Sequence, residues 1–211
     1  MAIELRVYLP LPDLGRQFAA YLGSPLRARG YPPAEGDHAL IVEVAPGLAI
    51  ERIIDLALKQ VPDVEPGIHF VERQFGVLEV HQADPALVDK AGEAILKGIG
   101  ATPEDALRPT LNYVDVIEEV TDQHAVIVNR NRQASMLMPG QTLLVYEVTP
   151  ALFAAVAANA AEKVAPDVTL VDVSMIGAAG RLYLSGSTET MLRARDEIAR
   201  VLDEVQGREQ G

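Results

Sequence analysis

The side chains best suited to bind a metal or move a proton are four histidines, His38, His69, His81 and His124. None stands at the i, i+4 spacing that places two imidazoles on one helix face. Glu79 and His81 alternate onto one face of an expected strand, and His69 could lie opposite them in a hairpin. That trio fits either a metal site or cross-strand packing at a surface, and packing needs no further assumption. With no cysteine there is no disulfide, thiolate ligand or thiol nucleophile. Ser135, Ser174 and Ser185 have no visible His and Asp partners. Gly177-Ala178-Ala179-Gly180 suggests a phosphate loop, but it leads into a strand at 181–184, not a helix, and lacks the G-x-G-x-x-G spacing. Glu118-Glu119 reads as a solvated face. The most basic local cluster, Asn129-Arg130-Asn131-Arg132, reads as a polar turn, or as a contact for an anion or for acidic groups of a neighbouring subunit. No constellation points to an enzyme, a cofactor or a metal centre.

The elements that would position any site come from bulk properties and periodicity. The chain has 211 residues, enough for two domains, and is 49% hydrophobic and 23% charged, a composition that supports a real core. A net charge of −12 argues against nucleic-acid or anionic-membrane partners, which need clustered Lys and Arg. No apolar run approaches the ~18 residues of a membrane span. Met1 to Arg6 lacks the basic-then-apolar plan of a signal peptide. The absence of cysteine fits a reducing cytoplasm.

From Gly36 to Lys97 the sequence aligns without a gap onto Gly140 to Val201, an offset of about 104 residues. Glu43-Val44-x-Pro46-x-Leu48 meets Glu147-Val148-x-Pro150-x-Leu152, and Ala57-x-Lys59 meets Ala161-x-Lys163. Pro62-Asp63-Val64 meets Pro166-Asp167-Val168, and Gly76-x-Leu78 meets Gly180-x-Leu182. Two domains are therefore expected, 1–104 and 105–211, joined through the Gly- and Pro-containing stretch 98–109.

In the first copy, strands are expected at 3–9, 39–44, 68–71 and 77–81. Helices are expected at 48–61 and from the Asp84-Pro85 start to about 98, with a loop over 22–37. The second copy should hold strands at 125–128, 135–138, 142–148, 169–173 and 181–185. Its helices should cover 152–164 and a stretch capped by Thr188, and its tail, 207–211, should be disordered. Each copy is then an α/β sandwich, one sheet with helices on one face.

The copies differ most at one hairpin tip. The first has Glu72-Arg73-Gln74-Phe75-Gly76, where the second has Ile176-Gly177-Ala178-Ala179-Gly180. The second supplies ordinary turn formers. The first replaces them with two opposite charges and an aromatic, which are costly to order. It reads either as an exposed salt-bridging loop or as a tip given a separate task.

These residues resemble bacterial microcompartment shell proteins. Single-domain members of that family carry a helix with Asp-x-x-x-Lys and a pore-lining Lys-Ile-Gly-Ser-Gly tip. Asp55-Leu56-Ala57-Leu58-Lys59 looks like the helix motif, and 176–180 with the strand after it looks like the tip. In the second copy Asn159 replaces the Asp, while Lys163 remains. The tandem copies and leading strands are similar to the circularly permuted trimeric class, and Val71 to Gly76 is similar to its gated-pore members. The family's Pro-Arg-Pro edge motif is not matched, since Pro10-Leu11-Pro12 lacks the arginine.

The resemblance implies two tandem permuted shell domains and a pseudohexagonal homotrimer with a central gated pore for small metabolites. It implies association with other shell proteins and allows two trimers to stack face to face. On this reading Glu72, Arg73, Gln74, Phe75 and Gly76 alternate around the pore with Ile176, Gly177, Ala178, Ala179 and Gly180, while Lys59 and Lys163 sit at the edge between tiles. The rival expectation is a soluble trimeric small-molecule-binding or sensor protein.

Overall fold

The computed structural model describes residues 2–24 and 30–209, with residue 72 described through its backbone alone. The chain forms two compact units, Met1–Arg108 with Gln206–Gly211, and Pro109–Val205. In the first, strands β1 (Glu4–Leu11), β2 (His38–Ala45), β3 (Glu65–Glu72) and β4 (Phe75–Gln82) form an antiparallel sheet in the order β1-β2-β4-β3. The second repeats it with β5 (Thr110–Ile117), β6 (Thr142–Thr149), β7 (Thr169–Ser174) and β8 (Gly180–Gly186), in the order β5-β6-β8-β7.

Period-two alternation assigns the faces of the first sheet. Leu40, Val42 and Val44 of β2 and Leu78 and Val80 of β4 belong to one core with Ile50, Ile53 and Ala57 of α2 (Ile50–Gln60) and Val88, Ala91 and Ile95 of α3 (Pro85–Ile99). Burial of each large side chain contributes about 1.5–3 kcal/mol. Asp84 caps α3, accepting from the Ala86 N–H at 3.0 Å, with Pro85 in the first turn. In the second unit, α5 (Phe153–Val164) packs against α6 (Thr188–Asp203). The small buried residues Ala154, Ala157, Ala158 and Ala161 let α5 lie close. The cap of α6 is Ser187, one residue before the expected Thr188.

The opposite faces are also covered, which corrects the expectation of helices on one face only. In the second unit, Leu143 of β6 and Val171 share a core with Ala125 of a short helix, α4 (Asp122–Asn131). Its counterpart in chain order, α1 (Arg16–Leu22), buries Phe18, Ala19, Tyr21 and Leu22. Both helices depart from the sequence expectations. Residues 16–22 carried no assignment, and of the expected loop over 22–37, residues 25–29 lie outside the described residues. The stretch 125–128 reads as a strand because Val, Ile and Val favour one. Thr121 nevertheless caps a helix there, accepting from the His124 N–H at 3.4 Å, with Asp122 in the first turn. Asn129 then tethers the return segment through two bonds to the Leu137 backbone, at 2.7 and 2.9 Å. Residues 135–138 are irregular, not a strand, and the leading strand of the second unit is β5.

The expected disordered tail is tied down at Arg208. Its backbone bridges Leu107, its Nε donates to the Asp105 carbonyl at 2.8 Å, and its guanidinium pairs with Glu4.

Candidate functional site

Both hairpin tips rest on a glycine, for a reason of space. A Cβ on Gly76 would come within 2.2 Å of the Gly47 carbonyl oxygen, and one on Gly180 within 2.1 Å of the Ala151 carbonyl oxygen. Gly47 and Ala151 precede α2 and α5, so each tip lies directly against the entry to a helix. No side chain fits in either gap. Each central strand also leads into a cis peptide bond, at Ala45-Pro46 and Thr149-Pro150.

Above this shared floor the tips differ in geometry as well as residue type. In the first, the strands continue until Glu72 pairs with Phe75, leaving Arg73 and Gln74 as the turn. Arg73 has φ +48°, a left-handed conformation unusual for a residue with a long side chain. Arg73 and Gln74 are exposed, and the side chain of Glu72 lies outside the described residues. In the second, the ladder ends at Ser174–Arg181 and residues 175–179 form a loop. Gly177 has φ +126° and open space around it, while Ile176 and Ala179 are half-buried and Ala178 is exposed.

The first tip is clamped by an arginine. β1 has a bulge between Leu5 and Val7, which leaves Arg6 out of register. A bulge re-aims its side chain. The Arg6 guanidinium lies 3.7 Å from the centre of the Phe75 ring, a cation–π contact, and its Nε donates to Glu43 at 3.0 Å. Glu43 is only 5% exposed. Burial pushes its carboxyl above the usual range, against the opposing hydrogen bond and charge of Arg6. Arg6, Glu4, Pro46, Leu48, Val71 and the tip residues line an open groove of about 840 Å³.

In the second unit β5 is bulged at the matching place, between Leu111 and Tyr113, but Asn112 stands there and donates to Thr149 Oγ1 at 2.6 Å. Glu147, the repeat partner of Glu43, instead receives Arg181 from β8 at 2.7 Å. Sequence reading paired the two glutamates but missed both arginines, because they come from different strands and do not align.

The remaining expectations resolve as follows. Lys59 and Lys163 both lie exposed in the last turns of their helices. Lys59 pairs with Asp55 at 2.9 Å, and Asn159, at the Asp55 position, is buried. Glu79 and His81 are not surface packing. Both are essentially inaccessible and joined at 3.0 Å. Burial raises the Glu79 carboxyl, opposed by His81. Burial pulls the His81 pKa down, but Glu79, with Asp37 and Glu65, outweighs this and raises it. His69 is set opposite Leu78 and meets Glu51 at 3.3 Å instead of joining the pair. Among the described residues no group of three or more His, Asp or Glu is arranged to hold a metal. The 129–132 cluster forms the end of α4 and its exit, not a separate loop, with Arg132 Nη1 donating to the Ala134 carbonyl at 2.8 Å.

Two bulged, four-stranded repeats with cis-proline turns and glycine-floored tips define a duplicated, permuted sheet-and-helix protein. Residues 5–105 match the family described as the CsoS1D N-terminal domain. The chain is 39% identical to the carboxysome shell protein CcmP of Synechococcus elongatus, over 99% of this chain and 96% of that one. It is also 39% identical to the carboxysome shell protein CsoS1D of Hydrogenovibrio crunogenus, over 94% and 98%. A double ringed trimeric shell protein from the RMM microcompartment superposes with a TM-score of 0.95 at 64% identity, over 99% of this chain and 100% of that one. A fused permuted hexameric shell protein from the same microcompartment gives 0.92 at 43%, over 98% and 100%. The chain belongs to the tandem-domain bacterial microcompartment shell proteins. It is thus a structural shell component and not an enzyme. No helix among the described residues is long and apolar enough to cross a membrane.

Proposed function

We propose that three copies of this chain form a pseudohexagonal tile whose six tips surround one pore, gated by Glu72 and Arg73 and open to small metabolites. The observation that carries this reading is the pair of unlike tips on identical glycine floors, at 72–76 and 176–180. Alternation around a three-fold axis sets each charged tip between two small ones. Small Ile176 to Gly180 loops leave room, and the charged tips fill or clear it. Three arginines converging on an axis repel unless each meets a carboxylate, and Glu72 of a neighbouring chain supplies one. Such pairs gain strength in a narrow channel, though desolvation offsets much of the gain. The closed pore is then a ring of Glu-Arg pairs, and the open pore swings them into solvent. A difference of a few kcal/mol between the states lets a metabolite shift the population.

The chemistry of the tip supports this reading: Arg73 and Gln74 are exposed, and Phe75 is held back by Arg6. Stacking of two trimers is part of the proposal, by likeness to the double ringed relative. So is a role for Lys59 and Lys163 at the contacts between tiles. The test is a structure of the Glu72→Ala, Arg73→Ala double variant, with light scattering in parallel. An intact trimer with a permanently wider pore is expected. The same constriction would move the gate to Gln74 and Phe75, and a monomer in the unmodified protein would remove the pore altogether. Lys59→Asp with Lys163→Asp should leave trimers intact and weaken sheet formation. Unchanged assembly would reduce both lysines to helix-end charges.

A further inference from the structure

The two helices that hold the same place in chain order, α1 and α4, meet solvent differently. α1 turns Phe18, Tyr21 and Leu22 inward, and all three are buried. α4 buries only Ala125 and leaves Val126 and Ile127 more than half exposed. Met136 and Met138, on the segment that returns beside α4, are exposed to a similar degree. They flank the buried Leu137, whose backbone N–H and carbonyl are both held by Asn129. The second unit therefore presents a fixed apolar patch, and a patch of this kind marks a contact surface.

Charge around the patch is ordered along the helix. Asp122, Val126 and Arg130 recur at intervals of four, share one face of α4 and are all exposed. Glu118 and Glu119, also exposed, lie ahead of the acidic end. After Asp122 no carboxylate follows until Glu147, although the chain holds 30 Asp and Glu. Asp122 and Arg130 are equally distant from Val126, about 6 Å each along the helix axis. Turning α4 end for end about Val126 therefore sets acid on base and base on acid. A two-fold contact requires this self-complementarity, and it lets two chains of net charge −12 approach.

We infer that α4 docks on α4 of a second copy of this chain, antiparallel, about a two-fold axis near Val126. Val126 and Ile127 form the centre of the contact. Met136 and Met138 fill its flanks, their unbranched chains adapting to the facing surface. Asp122 meets the partner's Arg130, and Arg130 meets the partner's Asp122. Arg130 thus takes one of the roles open to the 129–132 cluster, a contact for acidic groups of a neighbouring subunit. The inference rests on the proposed stacking of two trimers and names the surface that joins them, with three such contacts to each pair of rings.

The test is sedimentation velocity of the full chain over a concentration series, with variants confined to exposed positions. The unmodified protein should pass from three-chain to six-chain assemblies as concentration rises. Ile127→Asp should leave three-chain assemblies and weaken their pairing by about a hundredfold or more, since it buries a charge at the centre. Arg130→Asp should weaken pairing by about tenfold, and Asp122→Arg in the same chain should restore it. The chain has no cysteine, so Val126→Cys places one thiol per chain at the axis, and mild oxidation should give a two-chain band on a non-reducing gel. Six-chain assemblies that survive Ile127→Asp would overturn the inference and leave stacking to another surface. Three-chain assemblies that never pair and never cross-link would overturn it as well, as would a charge reversal without rescue. A two-chain species broken by Ile127→Asp would support the contact while removing the trimer and its pore.

Discussion

The two tips stand on the same floor and are held in different ways. The first is a tight turn drawn down by Arg6 through Phe75, with Glu43 fixing the arginine from below. The second is a loose loop of small residues, and its half-buried glutamate, Glu147, is satisfied by Arg181 of β8, at the foot of the loop. The duplication has kept the requirement, a carboxylate on the central strand that needs a cation, and has changed the strand that supplies it. Only the first solution joins the carboxylate to a tip side chain, the Phe75 ring, and that is the tip with charges to position.

The largest effect that would test this comparison lies at the floor. Gly76→Val and Gly180→Val each drive side-chain atoms into a backbone carbonyl, and each should cost about 3 kcal/mol or more in chemical denaturation. A tolerated valine at either site would show that the two floors are not equivalent. Next comes the clamp. Arg6→Ala leaves Glu43 buried and unpaired and should cost about 2–3 kcal/mol, whereas Arg181→Ala breaks a half-exposed pair and should cost under about 1 kcal/mol. Equal losses would erase the distinction.

A smaller effect, of opposite sign, is expected in the turn. Arg73→Gly relieves the left-handed strain and should stabilise the first unit by about 0.5–1 kcal/mol, at the expense of the proposed gate. A destabilised variant would mean that Arg73 makes contacts worth more than its strain. The smallest effect concerns pH. The second unit has Ser185 at the His81 position, so the buried Glu79–His81 pair is a feature of the first unit alone. Because Glu79 raises the folded-state pKa of His81, this pair adds stability below the unfolded value of about 6.5 and loses it as pH rises through the higher folded value. An NMR titration should place the His81 midpoint above 6.5, and Glu79→Gln should lower it.

Much of this was legible in the sequence because the repeat was gap-free where it mattered. Pro46 with Pro150, Gly76 with Gly180 and Asp84-Pro85 mark turns and caps whose chemistry is local, and the elements around them fall where expected. At the front of the copies, the leading strand of the first was legible, but β5 and the helices α1 and α4 were not. The front lies outside the gap-free alignment, and Val126-Ile127-Val128 carry a strand propensity that a threonine cap and the Asn129 tether override. The tip was visible as a difference in residue type and invisible as a difference in ladder length. The clamp was hidden because a bulge aims Arg6, and bulges leave little trace in a pattern of alternating polarity.

The glycine floor has one more consequence. Segments 72–75 and 176–179 have the same length and return to the same kind of anchor, so each tip is an exchangeable insert on a fixed socket. Lineages can rewrite an insert without disturbing the body that bears it, and so can an engineer. A library confined to those positions would vary the lining of the proposed opening, and within the sheets it would reach only the Glu72–Phe75 end of one ladder and its Arg6 contact.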